Sequence, residues 1–249
     1  MAIVIRTAKE IAKMRRSGVA LRHVLDTLRD RTAAGMTTLD LEKIAEAEIA
    51  AAGAVAAFKG YHDYPCVLCT SINDEVVHGI PSAKKVLREG DVVSVDCGVV
   101  IDGYYADAAI TLPVGVISEG ARKLLDATAE SLQAAISVVR AGATLGDVGA
   151  AVQEVAEGAG FSVVREFVGH GIGTEMHEEP QIPNYGRRGQ GMKLREGMVL
   201  AIEPMVNAGQ HGVRVLEDKW TAVTMDGSLS AHFEHTVAVK AGGAEVLTA

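Results

Sequence analysis

Cysteine is scarce. The chain of 249 residues has three, Cys66, Cys69 and Cys97, too few to staple a secreted scaffold and better suited to a reducing compartment. Cys66 and Cys69 form a lone Cys-x-x-Cys with no second pair, which argues against a zinc knuckle and for reduced thiols in a core or pocket wall. Long apolar runs are missing too. Nowhere do about 18 uninterrupted apolar residues occur, so no transmembrane helix is expected. The stretch MAIVIRTAKEIAKMRRSG carries charges where a signal peptide needs a continuous apolar region, so the expected location is the cytoplasm. Positive charge is in deficit. A net charge of −8 argues against an unaided grip on nucleic acid or on an anionic membrane, and leaves room only for docking through a local patch. Aromatic residues make up 4% of the chain, so the 48% that is apolar, mostly Ala, Val, Leu and Ile, must fill the core. No Gly/Ser-rich or Pro-rich linker interrupts it, and one domain over residues 1–249 is expected.

What the sequence does contain is a copy of itself. Leu87 to Asp96 reads LREGDVVSVD and Leu194 to Glu203 reads LREGMVLAIE, 107 residues further on. At the same offset, Ala34-Gly-Met-Thr-Thr-Leu-Asp40 matches Ala141-Gly-Ala-Thr-Leu-Gly-Asp147, and both run on through helical patterns to Ala-Gly pairs. A third echo sets His78-Gly-Ile-Pro81 against His177-Glu-Glu-Pro180. The halves are expected at about 1–112 and 113–249. Thr37-x-x-Asp40 and Thr144-x-x-Asp147 are helix-start signals. Helices are expected at Ala8–Arg31, Thr38–Ala52, Ser118–Arg140 and Thr144–Glu157. Strands are expected at Val67–Ser71, Val92–Ile101, Tyr104–Leu112, Val199–Val206, Lys219–Thr224 and Phe233–Val239. Paired helices followed by antiparallel strands indicate an α+β fold, with an internally duplicated antiparallel sheet and helices on its outer face.

The duplication aligns Asp96 with Glu203. Asp96 also belongs to a hairpin, because Asp102-Gly103 is a two-residue turn signal between apolar runs. With that turn Ile101 faces Tyr104, Gly98 faces Asp107, and Asp96 faces Ala109, so the two aspartates share one face of the sheet as diagonal neighbours. Two close carboxylates repel, and one is forced to protonate unless a cation lies between them. Glu203 and Glu234 sit in further apolar runs, and His170 lies among glycines that permit close backbone approach. Four carboxylates and a neutral imidazole balance two divalent cations, and oxygen-rich ligation with one nitrogen suits Co²⁺, Mn²⁺ or Fe²⁺, with Zn²⁺ as a further option.

The motifs Val-Asp-Cys-Gly, Gly-Tyr-Tyr-Ala-Asp, Gly-His-Gly-Ile-Gly, His-Glu-Glu-Pro, Ala-Ile-Glu-Pro and His-Phe-Glu-His-Thr, with Ser71 to Pro81, cover nearly the whole chain. In these the sequence resembles the type I methionine aminopeptidases, whose pita-bread (creatinase/aminopeptidase-like) fold is internally duplicated. The resemblance implies that Asp107 and Glu234 bridge two metal ions, that His170 and Glu203 complete one, and that Asp96 holds the other. It implies that His78 and His177 contact substrate, that Glu203 moves the proton, and that Tyr61, Tyr64, Cys69 and Trp220 line a methionine pocket. Met176 departs from the Phe often found in that wall, and Phe58 from a smaller residue, which softens the expected selectivity. Only 33 residues separate His170 from Glu203 and 31 separate Glu203 from Glu234, which leaves no room for the helical insert of the family's second type. The zinc-binding N-terminal extension of some members is not expected either.

The expected activity is removal of the N-terminal methionine from nascent chains at the ribosome when the second residue is small, by a metal-bridging hydroxide and in a monomer. An Xaa-Pro peptidase of the same fold would use the same ligands but normally carries a further N-terminal domain. A non-catalytic ribosome- or RNA-associated scaffold would be expected to have lost ligands that are all retained here.

Overall fold

Three threonines start three of the four long helices. Thr7, Thr37 and Thr144 each accept a hydrogen bond from the backbone N–H three residues on, and the acid there accepts one from the threonine N–H. These capping boxes satisfy donors that a helix start otherwise leaves orphaned. They open α1 (Ala8–Arg31), α2 (Thr38–Ala51) and α4 (Leu145–Gly158), while Ser118 caps α3 (Glu119–Val138). The computed structural model describes residues 3–249.

The repeat is visible in individual hydrogen bonds. Gly35 N–H donates to Leu87 O and Gly142 N–H to Leu194 O, both at 2.9 Å. The isolated bridges Thr37 to Val86 and Thr144 to Lys193 fall at the same offset. Gly35 and Gly142 both have φ of 90°, which explains why the two copies share a glycine there. Each half also has its own core. Leu21, Leu25 and Leu28 of α1 and Leu41 of α2 pack on Val95, Cys97 and Val99, whereas Leu124 and Leu132 of α3 and Val148 of α4 pack on Leu200, Ile202 and Val237.

The hairpin forms in the expected register: Ile101 opposite Tyr104, Gly98 opposite Asp107, Asp96 opposite Ala109. Asp102 and Gly103 both take positive φ, 51° and 77°, the conformation a tight hairpin turn demands. Strand alternation then sorts the faces. Val95, Cys97, Ala106 and Ala108 belong to the core under α1 and α2, so Asp96 and Asp107 project from the opposite side. All strand pairs among the described residues are antiparallel. Side-chain and backbone bonds knit the halves together along one seam. Thr236 Oγ1 accepts from Asp107 N–H and donates to Asp107 O, Glu234 N–H donates to Ala109 O, and Thr111 Oγ1 exchanges bonds with the His232 backbone.

One expected strand is broken and another starts late. The run Val199–Val206 divides into Val199–Ile202 and Met205–Asn207, because Pro204 offers no N–H to a ladder. The run starting at Phe233 begins instead at His235, with a separate strand Ser230–His232 before it. The interruptions face each other, since Phe233 N–H donates to Pro204 O at 3.3 Å. Glu203 and Glu234 therefore sit at breaks rather than within strands. The strand expected from Lys219 begins at Ala222, because the Asp218 carboxylate accepts from Trp220 and Thr221 N–H and folds Trp220 into a turn.

Candidate metal centre and substrate cavity

The seam and the two strand breaks deliver four carboxylates to the floor of one cavity of about 370 Å³. Asp96 and Asp107 come from the hairpin face, Glu203 and Glu234 from the breaks, and all four line it. His170 reaches the same floor from the short strand Gly169–Gly171. Its neighbours must be glycine there: a Cβ on Gly169 would lie 2.3 Å from Ala201 O, and one on Gly171 2.3 Å from Glu179 O. The ring Nδ1 of His170 lies 2.9 Å from Gly171 O, so Nδ1–H donates and the lone pair of Nε2 faces the acids.

Those acids and that lone pair meet across gaps too long for hydrogen bonds. His170 Nε2 is 3.8 Å from Asp107 Oδ2 and 3.7 Å from Glu203 Oε1. Asp107, His170 and Glu234 each offer one ligand atom within 4.8 Å of the others. Asp96 Oδ1, Asp107 Oδ1 and Glu234 Oε1 are buried with no hydrogen-bond partner. Unpartnered buried acceptors of one sign cost several kcal/mol, and divalent cations remove that cost. The donor set thus fits hard or borderline metal ions.

Without cations, burial drives every one of these carboxyls upward. Asp96 rises to about 7, and Asp107, Glu203 and Glu234 rise well above the ordinary carboxylate range, with neighbouring carboxylates adding to the effect of burial on those three. Burial holds the imidazoles neutral: His170 falls to about 3 and His78 to about 4.

The opposite end is apolar. Tyr64, Cys69, Phe58 and Met176 are buried together, with Trp220 and Tyr61 packed against them. Trp220 meets Tyr64 edge-on at 5.0 Å and Phe58 meets Tyr64 edge-on at 6.5 Å, the arrangement aromatic quadrupoles favour. The Tyr64 hydroxyl donates to the carbonyls of Leu68 and Gly79, both 3.1 Å away, so the ring is fixed. Between the two ends stand His78 and His177. His78 takes a left-handed backbone, φ 61°, and packs its ring near Trp220 and Phe167. His177 lies against His170, with ring centroids 4.2 Å apart, and its Nδ1 is 2.7 Å from the Tyr61 hydroxyl.

Every side chain that the resemblance assigns to the metal or substrate site lines this cavity, and so do Phe58 and Met176, whereas Cys66 and Cys97 do not. His62 was missed. It lines the mouth with φ 45° and its ring 4.4 Å from Tyr61, and nothing but adjacency to Tyr61 pointed to it. His232 was missed as well. It is fully buried behind Glu203, with Nε2 3.7 Å from Glu203 Oε2 and both ring nitrogens unpartnered. Burial lowers it to about 3. The only trace in sequence was its place two residues before Glu234.

An α+β scaffold that gathers buried acids and a histidine at the seam between two repeats defines a metallopeptidase class, and this chain belongs to metallopeptidase family M24, whose model matches residues 12–241. It is 49% identical to the methionine aminopeptidase of Clostridium acetobutylicum over 99% of this chain and 98% of that relative. The crystal structure of methionine aminopeptidase from Thermotoga maritima superposes with a TM-score of 0.98 at 48% identity, covering 99% of both chains. The prolidase of Pyrococcus furiosus shares the fold alone, with a TM-score of 0.77 at 23% identity over 99% of this chain but 65% of that one.

Proposed function

We propose that this protein is a metalloexopeptidase that removes the N-terminal methionine from peptides and nascent proteins whose second residue is small. The observation that carries this reading is the single cavity with an acid-lined floor and an aromatic, thiol-bearing end. Full-length relatives at 43–49% identity are methionine aminopeptidases, while the prolidase likeness is confined to the fold.

Asp96, Asp107, His170, Glu203 and Glu234 would hold two divalent ions, of which Co²⁺, Mn²⁺, Fe²⁺ and Zn²⁺ suit the donors. Once bound, such ions polarise a carbonyl and bring the pKa of a water toward about 7. The protein's own side chains do the rest. Tyr64, Cys69, Trp220, Phe58 and Met176 take the methionine side chain, and Tyr61 closes the wall toward the mouth. Glu203 accepts the proton of the attacking water and hands it to the leaving amine, base and then acid. His177 and His78 donate hydrogen bonds to the oxygen that gains charge. Tyr61 prepares His177 to donate. The Tyr61 hydroxyl gives its own hydrogen bond to Nδ1, which leaves the imidazole proton on Nε2, the nitrogen free to face substrate. The protein works on chains emerging from the ribosome in the cytoplasm, as a monomer.

The test is a three-peptide assay with Mn²⁺-loaded protein and mass spectrometry of the released amino acids. Methionine from Met-Ala-Ser, with little from Met-Leu-Ser and nothing from Ala-Pro-Ser, is the expected result. Alanine from Ala-Pro-Ser would establish an Xaa-Pro peptidase instead, and no release from any of the three would leave a scaffold. A hydrophobic pocket separates side chains differing by one methylene by only about 1–3 kcal/mol, so slow release of norleucine or leucine is expected.

A further inference from the structure

The loop from Gly173 to Glu178 carries Met176 and His177 to the cavity, yet the group that holds it lies outside the cavity. Glu178 turns its carboxylate back into the loop, where Oε1 accepts from Thr174 N–H at 2.9 Å and Glu175 N–H at 3.2 Å. The same oxygen is ion-paired with Arg6, from the segment ahead of α1 and 172 residues away in sequence. Arg6 also donates to Thr174 Oγ1 at 3.3 Å and is only 8% exposed.

Arg6 is threaded between chain segments rather than laid on the surface. Its N–H donates to Gly197 O at 2.8 Å. A Cβ on Gly197 would lie 2.7 Å from Arg6 O, and one on Gly173 would lie 2.1 Å from the guanidinium. Glycine at both positions is therefore what lets the arginine pass. The rigid guanidinium fork engages a carboxylate and a hydroxyl of one short loop. A loop with few apolar anchors opens readily, and a pinned counter-charge suppresses that opening.

We propose that Arg6 is a positioning residue: with Glu178 it clamps the loop bearing Met176 and His177, and so sets the methionine selectivity of the cavity from outside it. The inference rests on the assignment of Met176 and His177 to the substrate side. Loosening the loop leaves the acid floor in place and softens one wall, so it acts on substrate binding more than on turnover.

The experiment compares R6M, which removes the charge at similar volume, with R6K, E178Q and the double variant R6M/E178Q, all assayed at a temperature where circular dichroism finds them folded. Amide hydrogen exchange at Thr174 and Glu175 reads the clamp with or without metal. The ratio of kcat/KM for Met-Ala-Ser over Leu-Ala-Ser reads the wall. Expected are exchange faster by about ten-fold or more in R6M and E178Q, and a Met-to-Leu ratio lower by about three-fold or more, carried mainly by KM. R6K should recover part of both, and the double variant should be no worse than the worse single one. Unchanged exchange in R6M overturns the clamp. Faster exchange with wild-type KM and selectivity overturns the positioning role and leaves a purely structural ion pair. H177A run alongside reads the assignment of His177 on its own: full turnover there removes that histidine from the chemistry, while the selectivity ratio still tests the clamp through Met176.

Discussion

Replacing Asp107 by Asn should make the metal-free protein more stable and the enzyme inactive. Asp107 is 5% exposed, and a ligand atom of it lies within 4.8 Å of one of Glu234. Two unit charges 4.8 Å apart, at an effective dielectric constant of about 20, repel by about 3.5 kcal/mol. Partial protonation relieves some of this, because both carboxyls are pushed well above their ordinary range. The new amide loses no backbone bond, since Thr236 pairs with the N–H and C=O of residue 107, and the Glu234 carboxylate and His170 Nε2 are acceptors for its N–H. A net gain of about 1–3 kcal/mol at pH 8 follows, which for a chain of this size raises Tm by about 3–9 °C. In saturating Mn²⁺ the order should invert. Wild type gains about 4.1 kcal/mol at a metal concentration about one thousand times Kd, more than the largest advantage of metal-free D107N, whereas D107N gains almost nothing. Turnover of Met-Ala-Ser should fall by at least about a hundred-fold, beyond the usual effect of disturbing a residue behind a ligand. Thermal melts in EDTA and in Mn²⁺ provide the assay. A D107N protein that melts below wild type in EDTA, yet is stabilised by Mn²⁺ as wild type is, would refute both the electrostatic argument and the ligand assignment.

Three further outcomes are expected. The Tm gain on adding Mn²⁺ should widen between pH 6 and pH 8.5. Asp107, Glu203 and Glu234 have folded-state pKa values raised by burial, so the folded protein binds more protons than the unfolded chain and metal-free stability declines as pH rises through those values. His170 and His78, lowered to about 3 and about 4, destabilise mainly below pH 6.5, so a pH-independent gain would contradict the carboxylate account. Tyr61→Phe removes the hydroxyl that pairs with His177 Nδ1, and if that hydroxyl donates as proposed, kcat should drop by about ten-fold with a smaller change in KM. Nitrogen-15 shifts should show a second tautomer at His177, and an unmixed Nε2–H signal would sink the prediction. Gly98→Ala places a methyl 2.7 Å from Phe58 Cε1 and 2.9 Å from Ala57 Cβ, which forces Phe58, a side chain lining the cavity, to shift. KM for methionyl peptides should rise several-fold at a stability cost of about 1–3 kcal/mol, and an unchanged KM in titration kinetics would argue against Phe58 as a wall.

The parts of this fold that could be read in advance are those set by local chemistry. Threonine-acid capping pairs fixed the helix starts, the Asp102-Gly103 dipeptide fixed the hairpin register, and alternation then placed Asp96 and Asp107 on one face. What stayed hidden depends on residues distant in sequence. The break after Ile202 looks like a continuous run, and the strand expected from Phe233 looks unshortened, until Phe233 N–H is seen donating to Pro204 O. His232 has meaning only because Glu203 is beside it, and Arg6 only because a loop 172 residues later folds over it. Neither relation leaves a periodic trace for a pattern to reveal.

The repeat itself explains why one half of the site was easier to read than the other. Asp96 and Glu203 occupy equivalent places after the same Leu-Arg-Glu-Gly, but their backbones differ. Asp96 lies in the unbroken strand Val92–Ile101, where paired neighbours on both sides hold its direction. Glu203 is released from its ladder by Pro204, its C=O accepts from the Asn184 side chain at 3.0 Å, and its two oxygens face two different histidines at 3.7 Å. A carboxylate fixed by a strand is suited to holding an ion in one geometry. One at a strand break, with an imidazole on either side, is suited to taking a proton and giving it back. The duplicated chain thus supplies two acids at matching positions, and a single proline in the second copy gives Glu203 the setting that the proposed proton transfer needs in addition to its proposed hold on an ion.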